Sequence, residues 1–247
     1  MTNTQSVAYK STHIAVRSHL AFSLVELLVV IAVIGIIGSI LLPVIGTTRS
    51  KANASQSISN LRQIHQAITL YSAENGGNYP VNYYASTPQE PVETDRIWYV
   101  AAGKYLYSDR YKASKEANTP WMWGAFAGYE RGYKGTVLHS PNREEDYLDH
   151  VTSYGYNHVF KKANATQYGL LFNPAKTGML ADNSGKTHIL TPSFQTGLIN
   201  GRNGASEDHA NDAKAAVVYL DGHTEMLDQD TVQLINEDSN HPFWGVQ

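Results

Sequence analysis

The sequence contains no cysteine, which excludes disulfide bonds, thiolate nucleophiles and cysteine-ligated metal sites. It also has no excess of basic residues, because 19 Lys and Arg stand against 22 Asp and Glu, for a net charge of −3. Nucleic-acid-binding proteins usually carry clustered positive charge, so the composition predicts no nucleic-acid partner. The Gly-x-Ser-x-Gly, Walker-loop and His-Glu-x-x-His motifs are missing as well. We therefore expect neither an enzyme nor a bound cofactor.

Charge is scarcest in one long apolar stretch. The 24 residues from Phe22 to Ile45 contain a single charged side chain, that of Glu26. A bilayer core about 30 Å thick needs about 20 apolar residues of helix, so the stretch is predicted to cross a membrane. A secretory signal has an apolar segment of only about 7–15 residues before its cleavage site, and a buried core helix is seldom apolar on every face. A plain signal anchor stays open.

The basic residues beside this stretch do not set its orientation. Lys10 and Arg17 precede it, and Arg49 and Lys51 follow it. Cytoplasmic flanks usually hold more Lys and Arg than exported flanks, but here the two sides balance. Charge alone therefore predicts no topology.

Glu26 is the exception within the apolar stretch, and ionisable residues in such a segment are costly and commonly functional. It follows Phe22 by four residues, so both side chains would share one face of a helix. A cut between Ala21 and Phe22 would create an α-ammonium group one helical turn from the Glu26 carboxylate. This placement predicts a pair of opposite charges, within one chain or between neighbouring chains. The alternative is that Glu26 lies shallow and reaches the lipid headgroups.

The segment AFSLVELLVVIAVIGIIGSILLP resembles the N-terminal signal of type IV prepilins and type II secretion pseudopilins. In that family a small residue, usually Gly, precedes Phe-Thr-Leu-(Ile/Val)-Glu-Leu and an apolar run. Ala21 and Ser23 replace the usual Gly and Thr. The positions that fit the family pattern are Leu24, Val25, Glu26 and Leu27.

The resemblance implies a processing route. Prepilin peptidase would cleave between Ala21 and Phe22 and methylate the new amine of Phe22, Glu26 would act in assembly, and Pro43 would kink the helix. The implied partners are prepilin peptidase, other pilin or pseudopilin subunits through the N-terminal helix, and the inner membrane. The leader would be cytoplasmic and the head periplasmic, before the subunit enters a periplasmic or cell-surface filament.

The resemblance also implies an α+β, pilin-like fold, in which a long N-terminal transmembrane-to-periplasmic helix packs on a small antiparallel β-sheet domain. The expected parts are a cleaved leader (1–21), the transmembrane half (22–45) and amphipathic half (46–75) of the helix, and a globular head (76–247). The implied function is that of a non-enzymatic filament subunit, in a type II secretion pseudopilus or a type IV pilus-like filament. The alternative is a membrane-anchored binding protein that does not polymerise.

Beyond the apolar stretch the helix is predicted to continue. Apolar residues recur every three or four positions, which is the period of an amphipathic helix. The helix is expected to end at Glu74, because Asn75-Gly76-Gly77 is a strong stop signal. His65 lies on or beside the apolar stripe and is expected to pack rather than to bind a ligand. The stripe comprises Ala54, Ile58, Leu61, Ile64 or His65, Ile68 and Tyr71.

The remaining chain contains five short strand candidates separated by turn signals. The clearest is a hairpin in which Ala215–Leu220 and His223–Leu227 flank a two-residue turn, Asp221-Gly222, and DTVQLIN after it is predicted to form a short helix. The strand candidates are GTVLHSP, VTSYGYNHVF, KTGMLADNSG, KTHIL and KAAVVYLDGHTEML.

A second, looser resemblance concerns a pseudopilin-like family that ends in His, nine residues, then Asp-Gly-His, and often carries Ser-Tyr-Gly-x-Asn and Cys-Pro motifs. Ser153–Asn157 reads SYGYN and Asp221–His223 reads DGH, but eleven residues separate His209 from Asp221, and Ser140-Pro141 takes the place of Cys-Pro.

Two ligand-binding alternatives remain open in the head. His209, Asp221 and His223 could bind a metal, or Asp208, Asp212 and Asp221 could bind Ca²⁺, although turn chemistry accounts for Asp221 and His223 equally well; we predict no metal site. Aromatic residues could stack on sugars or form a core or filament interface. These aromatic residues include Trp98, Trp121 and Trp123.

Overall fold

The computed structural model describes residues 23–81, 96–109, 111–112, 136–141, 153–161, 172–183, 189–190 and 214–245. Ala21 and Phe22, which flank the predicted cleavage site, lie outside the described residues, as do Trp121, Trp123 and His209. The chain divides into two compact units, residues 1–47 and 48–247.

The helices and strands follow one another in an α+β order. The helices are α1 (Leu24–Glu74), α2 (Trp98–Leu106) and α3 (Gln229–Glu237). The strands are β1 (Tyr154–Asn157), β2 (Gly178–Asp182), β3 (Ile189–Leu190), β4 (Ala215–Tyr219) and β5 (Thr224–Leu227). Within the described residues, two short 3-10 helices span His158–Lys161 and Pro242–Trp244.

In the first unit, α1 begins as an apolar helix. Its segment Leu24–Leu42 is long and apolar enough to cross a membrane, and none of it is buried within the chain. The hydroxyl of Ser39 donates to the carbonyl oxygen of Ile36 at 2.7 Å. This matters because lipid offers no hydrogen-bond partner to a polar side chain. Pro43 lies inside α1, and a kink at this residue stays a prediction.

In the second unit, the remainder of α1 has the predicted amphipathic character. Leu61, Ile64 and Ile68 are completely buried and belong to one hydrophobic core. The helix ends at Glu74, as predicted, because Gly76 and Gly77 adopt positive φ angles of 65° and 84°. Such angles are easy for glycine, and they let the N–H of Gly77 donate to the carbonyl oxygen of Ser72 at 2.8 Å.

The five strands form one sheet in the order β3-β1-β2-β4-β5. The pairs β1–β2, β2–β4 and β4–β5 are antiparallel, whereas the two-residue β3 pairs parallel with β1. Four of the five predicted strand regions therefore contain strands, and the predicted short helix after the hairpin is α3. The expected α+β class, with a long N-terminal helix and a small, mainly antiparallel sheet, is confirmed.

The prediction of a strand in GTVLHSP is wrong. Residues 136–141 form a turn instead, in which the N–H of His139 donates to the carbonyl oxygen of Thr136 at 3.2 Å. The Thr136 hydroxyl also accepts from the N–H of Leu138 at 3.2 Å. A threonine hydroxyl that binds nearby backbone groups competes with the hydrogen bonds between strands. The apolar residues Val137 and Leu138 favoured a strand and did not indicate this competition.

Helices cover both faces of the sheet, because successive residues of a strand point to opposite sides. On one face, Val218 of β4 belongs to the core that contains Leu61 of α1. On the other face, Val217 belongs to a second core that contains Val232 of α3 and Phe243 of the last 3-10 helix. The second unit thus has three layers: the amphipathic part of α1 with α2, the sheet, and α3 with the C-terminal 3-10 helix.

Candidate functional site

The first turn of α1 is closed by two side chains. The Glu26 carboxylate (Oε2) accepts from the backbone N–H of Ser23 at 2.9 Å, and the Ser23 hydroxyl accepts from the N–H of Val25 at 3.3 Å. The first N–H groups of a helix lack intrahelical partners. Ser-x-x-Glu is a capping box, which supplies acceptors in both directions. Glu26 therefore has a partner within its own chain before any cleavage.

This contact lies directly beside the predicted cleavage site. The Ser23 nitrogen belongs to the peptide bond that joins Phe22 to Ser23, so the carboxylate reaches back to within one residue of the predicted new terminus. Sequence reasoning paired Glu26 with Phe22 across one helical turn but missed the capping role of Ser23. The Ser-x-x-Glu spacing before an apolar run was the signal that identifies it.

The SYGYN motif connects three elements of the second unit through its first two residues. The Ser153 hydroxyl accepts from the N–H of Ser140 at 2.9 Å. The Tyr154 hydroxyl lies 3.2 Å from Nδ2 of Asn60 and 3.5 Å from the hydroxyl of Ser57, both on α1. The motif thus joins β1 to the turn at residues 136–141 and to α1.

The later residues of the same motif hold the opposite side of the sheet. A Cβ atom on Gly155 would lie 2.5 Å from Cδ2 of Leu190, so only glycine fits against β3. Nδ2 of Asn157 donates to the carbonyl oxygens of Gly178 at 2.8 Å and Phe243 at 2.9 Å. Each of these residues therefore has a structural role in this chain.

The Ser140-Pro141 pair lies against α1. The hydroxyl oxygens of Ser140 and Ser57 are 3.2 Å apart in a buried contact. Nδ2 of Asn60 donates to the carbonyl oxygen of His139 at 3.0 Å, and Nδ2 of Asn53 donates to that of Pro141 at 3.2 Å. We call Ser57, Asn60, Ser140 and Tyr154 the polar clasp, since they join the amphipathic part of α1 to the head by hydrogen bonds.

The Asp-Gly-His motif forms the turn of the β4–β5 hairpin. The hairpin is confirmed, but the predicted two-residue turn is wrong. Leu220 lies in the loop rather than in the strand, so the loop has three residues, and the N–H of Gly222 donates to the carbonyl oxygen of Tyr219 at 2.9 Å. Gly222 has a φ of 90°, which suits the last residue of a three-residue hairpin loop. A Cβ atom there would lie 2.9 Å from Cε1 of His65, so His65 packs against the hairpin, as predicted.

Asp221 and His223 satisfy one another on the surface of this turn. The Asp221 carboxylate accepts from the backbone N–H of His223 at 3.0 Å and from its Nδ1 at 2.5 Å. Burial by itself raises the pKa of Asp221, but the hydrogen bonds from His223 outweigh it and hold the pKa below its usual value. The His223 ring stacks on Tyr219 with centroids 4.2 Å apart. No group of three or more metal-ligating side chains occurs among the described residues.

Trp98 does not form a sugar-binding surface. Its side chain is completely buried, and its ring stacks on Tyr156 with centroids 5.6 Å apart. Tyr156 stacks in turn on Phe160 at 4.8 Å. Sequence alone could not separate these uses, because aromatic residues serve cores and binding surfaces alike.

Comparison with known proteins identifies the N-terminal part of the chain. Residues 17–42 match the family model of the prokaryotic N-terminal methylation motif. Neither the curated proteins nor the solved structures contain a significant match to this chain. The matched segment includes the Ser23–Glu26 capping box and the apolar segment of α1. The chain therefore carries a prepilin-type signal ahead of an α+β domain, which is the arrangement of a type IV pilin-like or pseudopilin-like precursor.

Proposed function

We propose that this protein is a non-enzymatic structural subunit of a type II secretion pseudopilus or a type IV pilus-like filament. The observation that carries the proposal is the methylation motif at residues 17–42, which coincides with a carboxylate next to the predicted cleavage site and with a segment long enough to span a membrane. A plain signal anchor accounts for the apolar segment but not for the match to the methylation motif.

In the proposed route the chain inserts into the inner membrane with its leader (1–21) cytoplasmic and its head (76–247) periplasmic. Prepilin peptidase then cleaves between Ala21 and Phe22 and methylates Phe22. The Glu26 carboxylate already accepts from the N–H of Ser23, the residue that follows the new amine in the sequence. An unpaired charge in apolar surroundings costs roughly several kcal/mol. A pair between Glu26 and the amine of a neighbouring chain removes this cost and therefore favours the addition of a subunit to a filament.

Mass spectrometry of the protein extracted from membranes tests the processing step. The expected N-terminus is Phe22 with one added methyl group, in cells that contain an active prepilin peptidase. Ala21→Gly should be processed at least as well, whereas Ala21→Asp should block cleavage. An intact N-terminus at Met1 in such cells would overturn the proposal.

The rival function is a membrane-anchored periplasmic or surface protein that binds a partner such as a glycan and does not polymerise. The burial of Trp98 removes one residue from the aromatic surface that this function would use. Recovery of the processed chain in filaments sheared from cells distinguishes the two functions, since a monomeric anchor stays with the membrane.

A further inference from the structure

Two outer surfaces of the second unit differ from the rest of its described exterior. Among the described residues from Thr48 onward, the large apolar side chains classed as exposed are Leu70, at 54% exposure, and Leu234, at 64%. Leu70 lies on α1 and Leu234 on α3. Isolated exposed leucines are common on protein surfaces, so the surroundings of these two decide whether they matter.

The surface around Leu70 is poor in charge. We call it the outer α1 surface, and it consists of Ser55, Ser59, Arg62, Gln66 and Leu70, all exposed along one stripe of the helix. Arg62 is the only Asp, Glu, Lys or Arg between Ala52 and Ala73. Five polar side chains and Ile58 line a shallow groove here. Small-molecule pockets are mostly apolar and enclosed, so this groove suits a protein partner better.

Arg62 is positioned to bind a carboxylate. Its Nε donates to the hydroxyl of Thr224 on β5 at 3.1 Å, which holds the guanidinium in place. The terminal nitrogens of an arginine form a planar fork that matches a carboxylate. Within the part of the chain that the structure describes, Arg62 forms no ion pair.

The surface around Leu234 has the opposite charge. We call it the outer α3 surface, and it consists of Asp230, Gln233, Leu234 and Glu237, which are exposed at helical spacing. Nε2 of Gln233 donates to a carboxylate oxygen of Glu237 at 2.7 Å, so the second oxygen of that carboxylate stays available. Neither surface suits pairing with a copy of itself, because like charges facing each other are unfavourable.

The layers of the second unit put these two surfaces on opposite sides. The amphipathic part of α1 packs on the face of the sheet that contains Val218, and α3 packs on the face that contains Val217. The exposed sides of the two helices therefore point away from each other. A contact between different surfaces of identical subunits repeats without closing unless its rotation forms a ring, which is the type of contact that a growing polymer needs.

We infer that the outer α3 surface of one copy binds the outer α1 surface of the next, with Asp230 and Glu237 facing Arg62 and with Leu234 in the groove beside Ile58. This inference rests on the proposed function, since it describes how heads contact one another once the chains are gathered in one membrane. A contact between two such small surfaces is weak between free molecules. Anchoring in one membrane raises the effective concentration of the heads, and this sustains the contact.

Cross-linking of the full-length chain tests the contact in cells that contain the peptidase and the assembly machinery. The natural chain has no cysteine, so a variant with Gln66→Cys and Gln233→Cys presents one thiol on each outer surface. Treatment of membranes with a short bismaleimide should give a ladder of dimers, trimers and larger species. The matched controls are the two single-cysteine variants, from which no ladder can grow. A double variant without a ladder, or a single variant that gives as much dimer as the double variant, would overturn the inference.

Charge reversal tests the electrostatic part of the same contact, with the cysteines and the reagent kept constant. In the double-cysteine chain, Arg62→Glu should reduce the ladder by roughly tenfold, because like charges then face each other. Adding Asp230→Arg and Glu237→Arg should restore it, which a purely structural effect of Arg62 would not allow. Lys112→Glu, the same charge change outside both surfaces, should leave the ladder unchanged. If the chain with all three charge reversals gives as little ladder as Arg62→Glu alone, the result contradicts the contact.

Recovery of filaments from the sheared fraction separates the two proposals. Filaments without the α1–α3 ladder would leave the proposed function standing and remove this contact. No filaments and no processing at Phe22 would remove the proposed function itself.

Discussion

The Glu26 carboxylate lies 2.9 Å from the backbone nitrogen of Ser23 and accepts its hydrogen bond. A residue within the matched methylation motif is therefore also the residue that caps α1. The Glu26 side chain thus has two properties that can be tested separately. Its charge can pair with an amine, and its oxygen can accept from a backbone N–H.

Substitutions at Glu26 should separate these properties in the full-length chain. Glu26→Gln keeps a capping oxygen, because Gln also serves in a capping box, but it removes the charge. Glu26→Val removes both. We expect both variants to insert and to be cleaved but to fail to enter filaments, as scored by the sheared fraction. Ser23→Ala, which removes the hydroxyl half of the cap and keeps the charge, is the matched control and should still assemble.

Filaments of Glu26→Gln at wild-type yield would show that capping, and not charge pairing, is what assembly needs. A Glu26→Val chain that is never inserted or never cleaved would instead assign the residue to recognition by the peptidase.

The polar clasp should contribute measurably to the stability of the head. Asn60→Ala removes two hydrogen bonds of the polar clasp, to the carbonyl oxygen of His139 and to the Tyr154 hydroxyl. Such a loss costs about 1–3 kcal/mol. Denaturant unfolding of the detergent-solubilised chain, followed by tryptophan fluorescence, measures the free energy of unfolding. Gln66→Ala, an exposed change on the same helix, should stay within about 0.5 kcal/mol of wild type, and equal effects of the two variants would contradict the role of the clasp.

Glycine is required at position 178 because the C-terminal segment packs over it. A Cβ atom on Gly178 would lie 1.9 Å from Cε2 of the fully buried Phe243. The main chain of Phe243 is held in place by the hydrogen bond that Asn157 donates to its carbonyl oxygen. Overpacking of this kind costs about 1–3 kcal/mol or more, so Gly178→Ala should lower the midpoint of unfolding clearly. Combining Gly178→Ala with Phe243→Leu should cost less than the sum of the two changes. Additive effects would show that the two residues do not meet.

The stability of the head should decrease in mild acid through His241. Its Nδ1 accepts from the N–H of Phe243 at 3.2 Å, which requires the neutral ring. Burial lowers the pKa of His241 below its usual value, and the nearby charge of Asp238 only partly opposes this shift. The fold thus favours the neutral ring. The contribution of His241 to the free energy of unfolding is complete above the ordinary histidine pKa of about 6.5, and it is lost as the pH falls through the lower pKa of the folded state.

Comparison with a variant that does not titrate isolates this effect. His241→Asn keeps a capping oxygen, and the difference in the free energy of unfolding between wild type and variant should change on the order of 0.5 kcal/mol from pH 7.5 to pH 5.5, because the ring is only partly buried and solvent screens its electrostatics. A difference that does not vary with pH would contradict the assignment. Among the described residues, the carboxylates with lowered pKa values are Glu74, Asp221 and Asp228, which caps the start of α3, and they lose their contributions only at lower pH.

Local patterns in the sequence predicted the features that depend on neighbouring residues. The apolar run, the stripe at Leu61, Ile64 and Ile68, the stop at Gly76 and Gly77 and the hairpin around Asp221-Gly222 follow from spacing along the chain, and the structure contains each of them. The strand predicted at residues 136–141 failed for a local reason of another kind, because the side chain of Thr136 competes for backbone hydrogen bonds.

The sequence by itself determined that the chain has a membrane-length apolar helix with one carboxylate near its start, since hydrophobicity and helical period act over a few residues. Only the tertiary structure decided that Trp98 is buried, that Ser57 meets Ser140 across 83 positions and that the last residues cover the second face of the sheet. These outcomes depend on which distant surfaces exclude water together. Residue spacing along one chain does not encode that choice, because an aromatic or a serine side chain can serve a core, a turn or a surface equally well.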